Sequence, residues 1–315
     1  MSLSVAAHGI LKTHLTWDEV EHELQKAFNT NAHFGPNKSA TSIGDLKFHN
    51  REVDMYKILM KLNEKEIPFT EIYAAKKFDD QNNLKGFIIS EYIPNIRHIG
   101  MHECMNYNDI IKVVKSAAIF SAIGNISDKE ELKFAEGENM LTLLMSQVID
   151  ESPVLIHCDL WSSNLLCDLW SSNLLCTRRP NDGAELKAII DFQTVSFGSP
   201  GIDLARLFVS SLSSKDRNEH LDDLLNLYYD TFESKLQGSK PSYTMEQLKD
   251  SYYLCVPLFT LPGIVPQLEL SNVASSELKK ERKIAMSKMI GLVEDSLAAH
   301  EINVKNHLKM LINNN

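Results

Sequence analysis

Hydrophobic positions along this chain switch between helical and strand-like spacing. Trp17, Val20, Leu24 and Phe28 recur on one helical face, and Thr16 with Glu19 has the form of a capping box in front of them. FGPNKSATSIGD then reads as loop, and HNREVDMYKILMKLNEK as a second helix with Val53, Tyr56, Leu59 and Leu62 along one side. EIYAAKKF and LKGFIISEYI, separated by a polar turn, predict an antiparallel hairpin. From about Asn95 the pattern turns helical. DIIKVVKSAAIFSAIG is apolar on more than one face, as suits a buried helix, and Gly124 is placed as its cap. ELKFAEGENMLTLLMSQVI predicts a further helical stretch. PVLIH and KAIID predict strands, and TRRPNDGAE between them is rich in turn residues. HLDDLLNLYYDTFESKL is a one-faced helix ending near Gly238, and Thr244 with Gln247 opens another. SYYLCVPLFTLPGIVPQL carries Pro257, Pro262 and Pro266 and reads as a buried helix broken by a turn. Ser275 onward predicts a long polar-faced helix.

The chemistry concentrates in VLIHCDLWSSNLL and KAIIDFQ. His157, Asp159 and Asn164 form H-x-D-x-x-x-x-N, and Asp191 ends the apolar run that follows. In phosphoryl transfer a loop Asp orients the accepting hydroxyl, an Asn five residues on holds a metal, and a second Asp holds the metal on the phosphates. Asp159 is thus the candidate base or orienter, His157 the organiser of its loop, and Asn164 with Asp191 the metal ligands, hard oxygen donors suited to Mg²⁺. Asp203, near the start of a helix, is expected to anchor the loop. Trp161 is expected either to wall the acceptor pocket or to pack in the core.

With these motifs in view, the chain resembles the CHK kinase-like proteins, above all their nematode branch, a group related to choline kinases, aminoglycoside phosphotransferases and ecdysteroid kinases. WDEVEHELQKAF, FGPNKSATSIGD, HNREVDMYKILMK, IHCDLWSSNLL and AIIDFQTVSFGSPGIDLARL carry the likeness from Trp17 to about Leu207. The resemblance implies an α+β, protein-kinase-like two-lobed fold, with a small lobe over 1–94 and a mainly helical large lobe over 95–315. It implies ATP and Mg²⁺ as cofactors and a small-molecule hydroxyl as substrate. It also implies that the backbone of Glu91, Tyr92 and Ile93 meets the adenine edge, and that Glu52 is the helix glutamate of the nucleotide site.

Two departures qualify this picture. CDLWSSNLL fills residues 158–166 and recurs, identical, at 167–175. Asp168 with Asn173 is therefore an alternative to Asp159 with Asn164. The first copy has His157 and the strand PVLIH before it; the second lies nearer the strand ending at Asp191. The small lobe is also truncated. Between Phe34 and Phe48 there is no room for a glycine-rich hairpin and a lysine strand. A buried Glu52 without its lysine is an uncompensated charge, so Glu52 is expected to be partly exposed or to recruit another cation such as Lys47. The expected function is an ATP-dependent small-molecule kinase of reduced activity. The alternative is an inactive pseudokinase that binds or scaffolds. A metal-dependent phosphoesterase using Asp159, Asp168 and Asp191 lacks the clustered ligands of a two-metal site.

Composition narrows the partners. The formal charge of −10 over 315 residues argues against a nucleic-acid or anionic-membrane binder. The five cysteines include two inside the repeat and show no paired spacing of a disulfide framework or zinc site. The start MSLSVAAHGILKTHL is a poor signal peptide and the 251–268 stretch is short for a span, so a cytoplasmic protein without a membrane span is expected.

Overall fold

The computed structural model describes residues 8–10, 13–36, 38, 46–62, 65–78, 85–97, 99–100, 103–136, 148–161, 173–179, 183–271 and 279–313. The chain divides into two compact units, one of residues 1–64, 69–94 and 191–194 and one of residues 65–68, 95–190 and 195–315.

In the first unit, α1 (Trp17–Phe28) opens with the capping box: the Thr16 hydroxyl accepts the Glu19 N–H, and the Glu19 carboxylate accepts the Thr16 N–H at 2.9 Å. Helix α2 (Leu46–Leu62) buries Val53, Met55, Tyr56 and Leu59. Strands β1 (Ile72–Lys76) and β2 (Phe87–Ser90) pair antiparallel, as their alternation predicts. The Asn50 side chain brackets Phe78, donating to its carbonyl and accepting from its N–H, both at 2.7 Å. That bracket fixes α2 against the chain leaving β1.

The second unit is built around α3 (Tyr107–Ile126), whose Asn106 cap accepts the Asp109 N–H. Ile110, Val113, Ala118 and Ile123 are all buried, which explains why no polar face is visible in the sequence. Helix α3 runs through Gly124 rather than stopping there. A Cβ at Gly124 would lie 2.8 Å from Leu155 Cβ and 2.9 Å from Leu155 N, so this glycine permits a close approach and is not a cap. Strand β3 (Ile96–Arg97) lies on the edge of β5 (Leu174–Arg178), which pairs with β6 (Ala184–Ile189). Strand β4 (Val154–Ile156) pairs antiparallel with β7 (Ser196–Gly198).

Helix α4 (Pro200–Ser211) follows directly, with Pro200 where a missing N–H costs nothing. Then come α5 (Ser214–Lys235), α6 (Met245–Ser271) and α7 (Lys279–Asn313). The expected break in α6 does not occur; one helix carries Pro257, Pro262 and Pro266. Tertiary packing sustains it: Gly201 of α4 sits so close that a Cβ there would meet the Ser251 carbonyl at 2.3 Å. Pro257 has no N–H for the Tyr253 carbonyl four residues back. Asn303 of α7 supplies the donor instead, Nδ2 to O at 2.9 Å. Lys288 of α7 is buried and donates to the carbonyls of Glu103 and Ser210. Among the described residues no helix is long and apolar enough to cross a membrane.

Candidate functional site

Strand β4 delivers the chain into the H-x-D loop, and α4 holds it there. The Asp203 carboxylate accepts the backbone N–H of His157 at 2.7 Å and of Cys158 at 2.8 Å, the anchoring role its sequence position suggests. Burial raises the Asp203 carboxyl above its ordinary range, against the pull of these two donors and of Arg206. The loop turns through Cys158 at φ 68°, a left-handed conformation in which a β-carbon costs about 1–2 kcal/mol. The Cys158 thiol is pushed up to about 11 by burial and then by Asp203, so it is no nucleophile. His157 Nδ1 lies 3.3 Å from the Asp159 N–H and its Nε2 lies 3.0 Å from the Ile190 carbonyl. With Nδ1 accepting, the hydrogen-bond network assigns the ring proton to Nε2, which donates to Ile190.

Asp159 is surrounded by donors. Its Oδ1 accepts Trp161 Nε1 at 2.7 Å and Arg206 Nη1 at 2.6 Å; its Oδ2 accepts Asn173 Nδ2 at 2.9 Å. A carboxylate has about four lone-pair sites, so the described residues fill three and leave one on Oδ2. The same Asn173 nitrogen reaches the Asp159 carbonyl at 2.7 Å. Arg206 also donates to the Cys158 carbonyl, and its guanidinium lies 4.8 Å from the Trp161 ring and 4.7 Å from that of Phe259. One arginine thus neutralises Asp159 and occupies two aromatic faces.

The Asp–Asn pair crosses the repeat. The sequence offers Asp159 with Asn164, or Asp168 with Asn173; the structure joins Asp159 of the first copy to Asn173 of the second. Asn164 and Asp168 lie outside the described residues. Asn173 sits at the start of β5, and its carbonyl accepts the Ile190 N–H at 3.0 Å. Both backbone groups of Ile190 are therefore spoken for, one by His157 and one by Asn173. Asp191 is the next residue in the chain.

Asp191 belongs to the first unit. It has φ 66°, and its Oδ2 accepts Gln193 Nε2 at 3.2 Å. Phe192 meets the Tyr56 ring edge-on at 5.3 Å. Glu52 is half-buried, one of its two expected outcomes; it accepts from the Tyr56 hydroxyl and the Phe192 N–H. Burial, and then the Asp191 charge, push its carboxyl up to about 7. The Lys47 side chain lies outside the described residues. After β2, the Glu91 N–H donates to the Glu71 carbonyl at 2.8 Å, while Tyr92 is exposed. Arg206 is the site residue that sequence reasoning missed. Its signal is D-L-A-R: an arginine three residues after Asp203 shares a helical face with it.

Comparison with known proteins adds a family. The model of the family DUF1679, described as "Uncharacterized oxidoreductase dhs-27", matches residues 3–48, 46–153 and 167–304. The matched stretches break beside Lys47–Phe48 and across the first copy of the repeat. The oxidoreductase of that description is the namesake's. The "Uncharacterized kinase-like protein D1044.1" of Caenorhabditis elegans is 35% identical over 153 residues, covering 45% of this chain. The aligned part spans only 37% of that relative's length. Among solved structures, a candidate aminoglycoside phosphotransferase from Ralstonia eutropha JMP134 matches at 13% identity and TM-score 0.45, over 89% of this chain and 98% of its own. Aminoglycoside 2'-phosphotransferase-IIIa in its GDP complex matches at 13% identity and TM-score 0.40, over 90% and 99%. These two are distant likenesses of the chain trace and bear on no residue's role.

Proposed function

The chain belongs to the DUF1679 family, and from that premise we propose that it transfers the terminal phosphate of ATP to a hydroxyl of a small molecule. One observation carries the reading: Asp159 and Asn173, nominal strangers from different copies, are hydrogen-bonded to each other at the end of the loop that His157 and Asp203 hold. The kinase-like name of the nematode relative supports it.

In this reading the remaining lone pair of Asp159 Oδ2 receives the acceptor hydroxyl and aims it. Asn173 and Asp191 are the ligands for Mg²⁺. Each would offer a hard oxygen: the Asn173 nitrogen is committed to Asp159, which leaves its amide oxygen as a donor, and Asp191 carries a carboxylate. When bound, the ion offsets negative charge on the nucleotide phosphates. The Glu91 N–H is already given to Glu71, so the adenine edge would meet the other backbone groups as far as Ile93. Arg206 bears on the acceptor: with a guanidinium across Trp161 and Phe259, those rings are closed to a quaternary ammonium, and the reading favours an uncharged alcohol.

A second reading, an inactive nucleotide binder or scaffold, is favoured by Glu52, whose described neighbours are a second carboxylate and two neutral donors. Thermal unfolding with MgATP comes first; a ligand at 100 times its Kd adds about 2.7 kcal/mol. Phosphate transfer is then followed with 3,3-dimethylbutan-1-ol and with choline, its cationic isostere. Transfer to the neutral alcohol, lowered about 10²–10⁴-fold in Asp159→Ala, is the expected result. Binding without transfer to any alcohol selects the second reading, and transfer that survives Asp191→Ala refutes the metal assignment.

A further inference from the structure

Helices α6 and α7 pack against each other, and each carries a second apolar stripe. On α7 the inward face is Ala285, Lys288, Leu292 and Ala299, all buried. Met286, Ile290, Val293 and Leu297 form another stripe that steps by four, three and four residues, and it is exposed, Ile290 by 51% and Leu297 by 60%. That stepping is the spacing of a coiled-coil seam. On α6, Leu258, Leu261, Val265 and Leu268 step by three, four and three, with Leu261 69% exposed. The two stripes are level with each other. A Cβ on Gly263, between Leu261 and Val265, would lie 3.2 Å from Leu292, which stands between Ile290 and Val293. Exposed apolar residues repeated along a helix in this way, rather than scattered singly, mark a surface that takes a partner.

We propose that this face is the contact between two copies of the chain, their α7 helices running antiparallel about a twofold axis between Ile290 and Val293. Two observations favour a second copy. First, the seam is its own complement: about that axis Met286 stands opposite Leu297 and Ile290 opposite Val293, as an isologous interface requires. Second, the flanking charges match. Continued at the same spacing, the seam would run through Lys279 and Lys283 at one end and His300 at the other; exposed Lys280 and exposed Glu301 each follow one of these extended positions. Antiparallel pairing brings Lys280 within two residues of the level of Glu301 of the other copy, on the same flank of the seam, twice. Parallel pairing would instead set Lys283 against its own counterpart in the seam, like charge on like.

Sedimentation velocity of the full chain at micromolar concentrations tests the proposal. The expected result is twice the 35.7 kDa chain mass. Leu297→Asp and Leu261→Asp should each return the single-chain mass with helical circular dichroism unchanged, since both side chains are exposed. Lys280→Glu should weaken the dimer several-fold, and adding Glu301→Lys should restore it. A single-chain mass for the unaltered protein overturns the proposal and leaves the face to a different partner. A dimer that persists in both aspartate variants overturns it too, and failure of the charge swap to restore affinity rejects the antiparallel pairing.

Discussion

Removing one copy of the repeat tests how the candidate site is closed. Deleting residues 164–172 joins Ser163 to Asn173 and leaves HCDLWSSN; excising either copy gives the same polypeptide. The bonded Asp159 and Asn173 are now 14 apart in sequence, and removal of nine residues makes that 14 − 9 = 5. Closure entropy scales as (3/2)RT ln n, so the shorter loop should stabilise the fold by about 0.9 kcal/mol. At ~2–4 °C per kcal/mol for a unit of this size, the melting temperature should rise by about 2–4 °C. Differential scanning calorimetry reads the shift, and the MgATP affinity of the two chains should agree. A loss of more than about 1 kcal/mol would refute the reasoning, because the copied residues would then contribute packing that outweighs the entropy of their loop.

Arg206→Met should lower stability by about 1.5–3 kcal/mol, the value of a charge-assisted hydrogen bond. In a double-mutant cycle with Asp159→Asn the coupling should be of that size, and a coupling near zero would mean that the pair is incidental. Gly124→Val should destabilise by about 1–3 kcal/mol or more in chemical denaturation, because the added carbons meet Leu155 backbone rather than a movable side-chain tip. Lys288 predicts a pH dependence. Burial first of all pulls its ammonium down to about 8, against 10.5 unfolded, so between those values the unfolded chain holds the extra proton and stability rises with pH. The gain should total about 3 kcal/mol; Lys288→Met should flatten it, and an unchanged slope in that variant would place its origin elsewhere.

Elements specified by neighbours in sequence were legible in advance. The Thr16–Glu19 box joins residues three positions apart and the β1–β2 pairing joins consecutive strands, and both form as expected. What failed was non-local. Gly124 looks like a helix cap until Leu155 arrives from β4, and the prolines of α6 look like breaks until α4 and α7 pack on them. The choice between identical asparagines had no local signal at all. Strand pairing is what holds Asn173 in place: Leu174 opposes Ile189, so the strand starts immediately after Asn173. The second copy lies nearer the strand ending at Asp191, but nothing in the sequence signals that one copy contributes the acid and the other the amide.

The Asn303 bond to the Tyr253 carbonyl has a mechanical consequence. Two long helices with apolar stripes on more than one side can slide past each other by a turn and still bury similar area. Pro257 leaves the Tyr253 carbonyl without its usual partner, and a slip of one turn, about 5.4 Å, would part that oxygen from the Asn303 amide that now serves it. The proline thus works as a detent that fixes the longitudinal setting of α7.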